Sequence, residues 1–422
     1  MPHQDALTIV SKVDPTRIER LEKELAHLRK DPAHNEVVPF AKIPGCHFGR
    51  IVFLPATKDL RGRAIEPQLM MLSDCDGPSS EHLTSFVDTA GDGIDRLFGN
   101  CVGYPRLPAT RQKRVDYLRK QHVRTKANYI HRQGRTVDQI RNEAKLRDDL
   151  QEILADRDFE KLSALEVRNR IISIVENSPS LQWALDAPEG IGWSYRARNL
   201  FHFTTLPLSL LFFGPVLLPT ALLTLALVRL QEQRDHPEHL RPSLEHVHAL
   251  TSLEDFFAQN GFTAGGFVKP GWLRQAVVSS VLPLIGYGTR HLFTRESLAG
   301  IKTIHFARWI PLDRGRRMVF ASNYDGSLES YNNDFIDLVA WGLNLVFSNG
   351  LGYPKTRWLL FGGATLEQEF KDYLRRHQIP TPIWYSAYPR LTAVNIVHNA
   401  RLRAGLRGRM TEQEARAWLR LL

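Results

Sequence analysis

An internal repeat is the feature that most constrains how this chain can fold. Residues 304–354 resemble an earlier stretch that begins at His47 and ends at Pro105. The aligned residues keep one constant offset, from Asp76 against Asp325 to the Gly-Tyr-Pro that closes each stretch. A repeat unit of roughly 100 residues has the size of a domain rather than of a solenoid repeat. The sequence therefore predicts two similar modules within one chain.

The repeat extends beyond these stretches and divides the chain. After one insertion the match resumes, with Tyr117 against Tyr373. A chain of 422 residues is long enough for two or three domains. We predict five parts: an N-terminal helical arm (1–45), a first α+β module (46–150), a helical connector (151–300), a second α+β module (301–406) and a C-terminal helix (407–422).

Hydrophobic periodicity predicts the same order of elements in both modules. In the first module we expect strands at 46–54, 68–72 and 127–130, and helices at 81–98, from 112 and from 136. In the second module we expect strands at 303–312, 317–324 and 383–385, an extended segment at 357–361, and helices at 328–347, 366–377 and 393–406. Hairpins and helices that pack on a sheet define an α+β sandwich.

Four segments carry a resemblance to a known family. They are VKPGWLRQAV from Val268, GIKTIHFARW from Gly300, SNYDGSLESYNNDFID from Ser322 and IWYSAYP from Ile383. Together they are similar to a bacterial family of uncharacterised proteins with duplicated α+β modules. The order of elements also resembles the ferredoxin-like modules of the dimeric α+β-barrel superfamily.

This resemblance implies a fold and suggests a cofactor. The fold is α+β, with two duplicated ferredoxin-like modules that pair their sheets within one chain. An apolar helical hairpin or membrane segment would be inserted between them. The wider superfamily includes haem-binding peroxidases and chlorite-dismutase-like enzymes, which makes haem the cofactor that the resemblance suggests. That suggestion is an analogy between folds and does not identify a site.

The connector contains a long apolar segment at residues 203–228. It has no charged residue and exceeds the roughly 20 residues that cross a bilayer. Arginines stand on both sides of the segment, so the positive-inside rule gives no orientation. Helix-breaking residues interrupt it at Pro207, Gly214, Pro215 and Pro219. One spanning helix therefore competes with two short arms around Gly214 and Pro215.

Module pairing restricts how this segment meets a membrane. Two modules that pair must lie on the same side, which requires an even number of crossings or none. A second apolar segment, residues 276–288, is short and contains a proline. We therefore favour a re-entrant or monotopic hairpin over a single crossing. The alternative is an apolar hairpin buried between the modules.

Composition indicates which kind of partner the protein binds and in which cellular compartment it lies. The net charge of +10 favours an acidic partner. No KH, RRM or zinc-finger pattern is present, so we expect membrane lipids rather than nucleic acid. Three cysteines, few and odd in number, are typical of a reducing compartment. We predict a membrane-associated protein whose modules face the cytoplasm.

Histidine and aspartate recur at matched positions in both modules. His305 enters the first strand of a predicted hairpin and Asp325 leaves the second, so both lie at one end of the hairpin. His47 and Asp76 occupy the matched positions of the first module. A carboxylate that orients an imidazole suits acid–base chemistry or ligation. The alternative is structural: each aspartate precedes a glycine and opens a helix, as an N-cap does, and each histidine satisfies internal hydrogen bonds.

Arg308 and Arg50 extend this constellation. They lie three residues beyond the histidines, so strand alternation predicts that they project from the opposite face. They could clamp an anion or pair with carboxylates elsewhere in the fold. The candidate catalytic residues are therefore His305, Arg308 and Asp325.

Other constellations are weaker. Four histidines lie close together in the connector, which we interpret as a solvated linker rather than a metal site: His236, His239, His246 and His248. Aromatic residues that the first module lacks suggest a pocket in the second, although aromatics more often build core: Trp309, Trp384, Tyr385 and Tyr388. Nucleotide-binding, zinc-protease, CxxC and nucleophile-elbow motifs are absent.

Two functional hypotheses follow. The first is a membrane-associated enzyme that acts on a lipophilic small molecule, as a haem-dependent oxidoreductase of peroxidase type with its pocket between the paired modules. The second is a non-catalytic scaffold or ligand-binding protein at an anionic membrane surface.

Overall fold

A computed structural model describes residues 3–155, 159, 161–294 and 296–422. It has the mixed α+β class that the sequence predicts. Eight long strands form its centre: β1 (Gln4–Lys12), β2 (Cys46–Leu54), β3 (Gln68–Asp76), β4 (Ala127–Ile130), β5 (Gln259–Phe267), β6 (Ile304–Leu312), β7 (Arg317–Asp325) and β8 (Ile383–Ser386). They form two antiparallel four-stranded sheets. The first sheet has the order β1–β3–β2–β8 and the second β4–β6–β7–β5.

Each sheet takes its last strand from a distant part of the chain. The strand β8 pairs with β2 in the first sheet, and β4 pairs with β6 in the second. The residues that lead into these strands bond to the other sheet. Val123 N donates to Thr8 O at the edge of β1, and Ile379 N donates to Thr263 O at the edge of β5. The chain therefore links the edges of the two sheets at both sides.

Two strands lie where the sequence analysis expected none. The N-terminal segment is not only a helical arm, because Gln4–Lys12 pairs with Gln68–Asp76 along its full length. The connector also contributes Gln259–Phe267, which pairs with Arg317–Asp325. The sequence QNGFTAGGF has three glycines, which disfavour strands when judged locally. Pairing with a neighbouring strand decides its conformation instead.

Thirteen helices of the described ranges surround the sheets. They are α1 (Ile18–Lys30), α2 (Ser79–Ala90), α3 (Asp92–Phe98), α4 (Arg111–Lys120), α5 (Val137–Ala155), α6 (Ala164–Asn177), α7 (Trp193–Gln233), α8 (Leu244–Thr251), α9 (Trp272–His291), α10 (Leu328–Phe347), α11 (Glu367–His377), α12 (Ala393–Ala404) and α13 (Glu412–Leu419). The helix predicted at 81–98 is two helices. Gly91, with φ of +51°, separates them in a conformation that favours glycine.

The two sheets contact each other through a small apolar cluster. The first sheet contributes Val52, Leu54, Met70 and Leu72, and the second contributes Ile310, Leu312, Val319 and Ala321. These side chains are buried and come from the central strands of both sheets. The sheets therefore lie face to face. Larger apolar cores lie between the sheets and the surrounding helices.

The apolar segment 203–228 lies within α7, a single helix of 41 residues. The preferred hairpin is therefore wrong, since Pro207, Pro215 and Pro219 all lie inside this helix. A proline removes one backbone hydrogen bond, but an apolar helix tolerates the loss where hydroxyl side chains bond to its carbonyls. Pro207 frees the carbonyl of Phe203, four residues earlier, and the hydroxyl of Tyr287 donates to that oxygen at 2.8 Å.

Within the described ranges, α7 is the one helix long and apolar enough to cross a membrane. Only 11% of its most apolar window is buried inside the protein. At about 1.5 Å per residue the helix is about 60 Å long. The second apolar segment lies within α9, which packs on β4 and is half buried.

Candidate functional site

The predicted histidine–aspartate pairs form in both sheets. Nε2 of His305 lies 2.7 Å from Oδ1 of Asp325, and Nε2 of His47 lies 2.9 Å from Oδ1 of Asp76. The expectation that each pair meets at one hairpin end is confirmed. A bulge at each histidine shifts the strand register, between Ile304 and Phe306 in the second sheet.

The aspartates cap other helices than the sequence analysis expected. The hydroxyl of Ser327 caps α10, the helix that follows Asp325. Oδ2 of Asp325 instead accepts the N–H of Ala393, the first residue of α12, at 2.7 Å. Oδ2 of Asp76 accepts the N–H of Val137, the first residue of α5, at 2.9 Å. Each aspartate therefore joins its strand to a helix more than 60 residues along the chain.

Burial and hydrogen bonding act against each other on the Asp76 carboxyl. Burial would raise its pKa, but the hydrogen bond from His47 and those from Val137 and Gln4 lower the pKa below the ordinary value. Gln4 Nε2 donates to Oδ1 at 2.8 Å. The carboxylate is therefore a stable acceptor within the fold.

The surroundings of His305 do not fit a haem ligand. The residue is 2% exposed, and its ring lies against Phe48 at 5.4 Å and Tyr388 at 6.2 Å between centroids. Its Nε2 already bonds to Asp325. A haem ligand needs a free ring nitrogen beside a space for the macrocycle. The aromatic rings packed against the imidazole leave no space for a macrocycle at this position.

Arg308 does not form an anion clamp beside His305. Its Nη1 crosses to the first sheet and donates to Leu7 O at 3.0 Å and Thr8 Oγ1 at 3.1 Å, and its Nη2 bonds to the carboxylate of Asp74. The predicted opposite orientation of Arg308 and His305 is wrong, because both side chains reach the other sheet. The bulge at His305 cancels the alternation that the prediction assumed.

Arg50 makes the reciprocal contacts from the first sheet. Its Nη1 donates to Phe262 O at 2.7 Å and to Thr263 Oγ1 at 2.9 Å. Its Nη2 donates to Ser322 O at 2.8 Å and to the amide oxygen of Asn323. Burial lowers the pKa of Arg50 to about 10. The two arginines therefore connect the sheets through buried hydrogen bonds.

Of the four aromatic residues that suggested a pocket, Trp384 and Tyr388 lie between the sheets, whereas Trp309 and Tyr385 pack against helices. Trp384 Nε1 donates to Asn323 Oδ1 at 3.0 Å, and its ring lies 6.0 Å from that of Phe48. Tyr388 Oη lies 2.8 Å from Nδ1 of His47. These rings build the core and do not line a cleft described below. Catalysis by His305, Arg308 and Asp325 remains a prediction. All three side chains are buried.

The connector histidines bond individually. His246 Nε2 lies 2.9 Å from the carbonyl oxygen of Arg375, and His239 Nδ1 lies 3.5 Å from the carboxylate of Glu369. In the described part of the chain, no group of three or more metal-ligating side chains is close enough to hold an ion.

A large open cleft lies elsewhere in the fold. Its volume is about 850 Å³. Its walls are the start of β1, residues 125–133, the first turns of α7 and the last turns of α9. Four cations line it: Lys126, Arg132, Arg198 and Arg290. None of them forms an ion pair with a carboxylate in the described ranges, so the cleft is basic.

Tyr195 organises two of these cations. The guanidinium carbons of Arg198 and Arg290 lie 5.6 and 5.7 Å from its ring centroid. Arg290 Nε also donates to Asn199 Oδ1 at 2.5 Å. The carboxylate among the lining residues, Asp5, accepts backbone N–H groups through both oxygens. That carboxylate is therefore already engaged.

Asn128 lines the cleft at a position that differs between the two sheets. In the second sheet Asn128 pairs with Arg308, and in the first sheet Trp384 pairs with Arg50. The smaller Asn128 side chain leaves room where the other sheet has an indole. Its buried Oδ1 has no hydrogen-bond partner among the described residues. That oxygen is enclosed by the protein and is not exposed to the cleft.

A smaller cleft continues toward the apolar part of α7. Its volume is about 270 Å³, and it shares Ile191, Tyr195 and His291 with the large cleft. Leu200 and Phe203 add apolar walls. The basic cleft and the more apolar one are therefore neighbours on the surface.

Both ends of α7 are fixed to the same folded body. Near its start, Tyr287 Oη of α9 donates to Phe203 O at 2.8 Å. Near its end, Glu232 is fully buried and accepts the N–H groups of Trp358 and Leu359, each at 2.8 Å. One apolar core contains residues of α9, α10 and Leu359. Only 11% of the most apolar window of α7 is buried, so the middle of the helix is largely uncovered.

Comparisons with protein-family models, with curated proteins and with solved structures returned no match for this chain. Sequence reasoning missed the cleft because its cations come from three distant segments. The visible signal was Arg196 and Arg198, immediately before the apolar run.

Proposed function

We propose that the protein is a monotopic membrane-surface protein, held in one leaflet by the exposed apolar middle of α7. The observation that supports this most is the attachment of both ends of α7 to one folded body. A helix that crosses a bilayer separates its ends by about 30 Å of hydrocarbon. A body that holds both ends cannot lie on both sides. The helix therefore enters the membrane from one face without crossing it.

The surface of α7 fits hydrocarbon rather than water. Large apolar side chains point outward around the whole helix, with Leu211 72% exposed and Phe212 71% exposed. Isolated exposed apolar residues are ordinary, but a continuous surface of them marks an interaction site. Arg196 and Arg198 precede this surface and Arg229 follows it. Arginines at both ends suit anionic headgroups.

We also propose that the two sheets belong to duplicated ferredoxin-like modules that have exchanged their last strands. The mirrored sheet orders, β1–β3–β2–β8 and β5–β7–β6–β4, support this proposal. The reciprocal contacts of Arg50 and Arg308 support it as well. Exchanged strands require both modules to lie on one side of a membrane, in agreement with monotopic attachment.

Ligand binding fits this architecture better than oxidative catalysis. His305 is enclosed, whereas the open cleft lies at the start of the apolar helix. We therefore favour the hypothesis of a membrane-surface ligand-binding protein. The oxidoreductase hypothesis has no comparable support in the geometry around His305.

Vesicle flotation tests the attachment. We expect wild-type protein to float with phosphatidylcholine vesicles. The triple variant Leu211→Gln/Phe212→Gln/Leu218→Gln should partition onto the vesicles about two orders of magnitude less, because three side chains lose apolar burial. The matched control changes exposed apolar residues outside α7, as Leu60→Gln/Leu107→Gln/Leu338→Gln. Equal loss in both variants would contradict a specific role for α7.

Cysteine labelling separates monotopic attachment from crossing. The three native cysteines are buried, so Glu189→Cys and Arg241→Cys provide exposed labels before and after α7. On sealed vesicles, we expect a membrane-impermeant maleimide to label both positions from the outside. Protection of one position and labelling of the other would establish a crossing helix and overturn the proposal.

A further inference from the structure

We propose that the basic cleft binds the phosphate-bearing headgroup of an anionic membrane lipid. The inference rests on the proposed function, because membrane attachment through α7 places the cleft at the headgroup level. Cavities of a few hundred to about 1,000 Å³ are typical of small-ligand sites. The cleft of about 850 Å³ accommodates a phosphoglycerol or larger headgroup.

The charge of the lining selects an anion. Lys126 and Arg132 come from the segment around β4, and Arg198 and Arg290 come from α7 and α9. Cations without carboxylate partners are available to a ligand. Guanidinium groups bind phosphate through paired N–H donors. The stacking of Arg198 and Arg290 near Tyr195 restricts their orientation and leaves terminal N–H groups available.

The apolar extension distinguishes a lipid from a soluble phosphate. The smaller cleft lies next to the large one, with which it shares Ile191 and Tyr195, and it is walled by Leu200 and Phe203. These two side chains are 65% and 42% exposed, so an acyl chain that leaves the cleft would cover apolar surface. The same direction leads onto the middle of α7.

Matched charge variants test the site in vesicle binding. We compare Lys126→Gln/Arg198→Gln, in the cleft, with Lys58→Gln/Arg61→Gln, on an exposed hairpin; each removes two exposed cations. Vesicles of phosphatidylcholine with and without phosphatidylglycerol are the probes. We expect the cleft variant to lose about tenfold in preference for phosphatidylglycerol, and the control to keep most of it. Equal losses in the two variants would show that general surface charge causes the preference for phosphatidylglycerol, and would overturn the proposal.

Calorimetry with soluble ligands separates the sources of phosphate. We expect dihexanoyl phosphatidic acid to bind wild type and to bind the cleft variant at least tenfold more weakly. Inorganic phosphate that binds as tightly as the lipid would overturn the lipid assignment. Failure of the soluble lipid to bind wild type would also overturn it.

The α7 triple variant keeps this test independent of membrane attachment. It should retain soluble phosphatidic acid binding while it loses flotation. If wild type binds the soluble lipid but does not float, the monotopic proposal fails and the cleft assignment stands. Far-ultraviolet circular dichroism and the unfolding midpoint establish that each variant is folded.

Discussion

The two sheets make the same hydrogen bonds with different side chains, and the differences show where the protein tolerates chemical change. In each sheet an arginine crosses to its neighbour. Arg308 reaches the carboxylate of Asp74, whereas Arg50 reaches the amide of Asn323. Asn323 Nδ2 in turn donates to Asp74 at 3.0 Å. The buried carboxylate of Asp74 therefore serves both arginines. It bonds to Arg308 directly and to Arg50 through Asn323, so the two arginine contacts are not equivalent.

The edges of the sheets differ in bulk. Trp384 packs where Gly261 has no side chain, and a Cβ there would lie 2.6 Å from the indole. At the matched edge, Ala6 and Asn128 take the places of the glycine and the tryptophan. The comparison teaches that one edge is closed by an indole, and the other is left open to the cleft.

We expect the largest change in the free energy of unfolding when the shared carboxylate of Asp74 is removed. Asp74→Ala leaves the guanidinium groups of Arg308 and Arg50 buried without a counter-charge, which should lower the free energy of unfolding by about 3–5 kcal/mol. Asn323→Ala removes the hydrogen bonds of an uncharged amide to Arg50, Asp74 and Trp384 and should cost about 1–3 kcal/mol, since no charge loses its counter-charge. Denaturant unfolding of both variants measures the difference. Equal costs would show that the two positions are equivalent after all.

The two sheets also differ in how acid should affect their stability, because one contacts a buried histidine and the other a buried tyrosine. His82 Nε2 lies 2.8 Å from Ser73 Oγ in the first sheet, and Tyr331 Oη lies 2.7 Å from Ser322 Oγ in the second. Burial lowers the pKa of His82 from 6.5 to about 4. The unfolded chain therefore binds a proton between these pH values that the folded chain does not.

The sign of this linkage predicts a loss of stability on acidification. As the pH falls from 6.5 to about 4, His82 should remove about 3 kcal/mol from the free energy of unfolding. We expect His82→Gln to reduce the pH dependence over this window by about that amount. Denaturant unfolding at several pH values measures it. Tyr331→Phe is the control, which should leave the pH dependence unchanged.

The histidine pairs provide a third comparison. We expect His47→Ala and His305→Ala each to cost about 2 kcal/mol, because each leaves a carboxylate with one hydrogen bond fewer and a cavity between the sheets. Denaturant unfolding again supplies the measurement. A His305→Ala variant of full stability would weaken the structural role and favour the catalytic hypothesis for His305.

The last comparison concerns the stability of the edge that Trp384 closes. Gly261→Ala should cost about 2 kcal/mol because the added methyl group displaces Trp384. Ala6→Gly at the matched position should cost about 1.5 kcal/mol, through backbone entropy and the lost burial of one methyl group. Thermal unfolding of the two variants ranks them. A neutral Gly261→Ala change would mean that the indole moves without strain.

Local patterns predicted much of the modules. The helix at 328–347 and the strands at 46–54 and 127–130 have the predicted bounds, because hydrophobic periodicity is a local signal. The meeting of His305 with Asp325 also follows from a short hairpin. The predicted orientation of Arg308 relative to His305 was wrong. A bulge shifts the alternation of side chains by one residue, and the hydrophobic pattern of the sequence does not reveal it.

The sequence by itself determined the α+β class, most elements of the modules and an apolar run long enough for a membrane. Only the tertiary structure decided which edge each strand pairs with, that α7 continues through three prolines, and that both of its ends bond to one body. It also gathered the cations of the cleft from distant segments. The physical reason is that periodicity reports which face of an element is buried, whereas partners far apart in the chain are chosen by packing and hydrogen bonding.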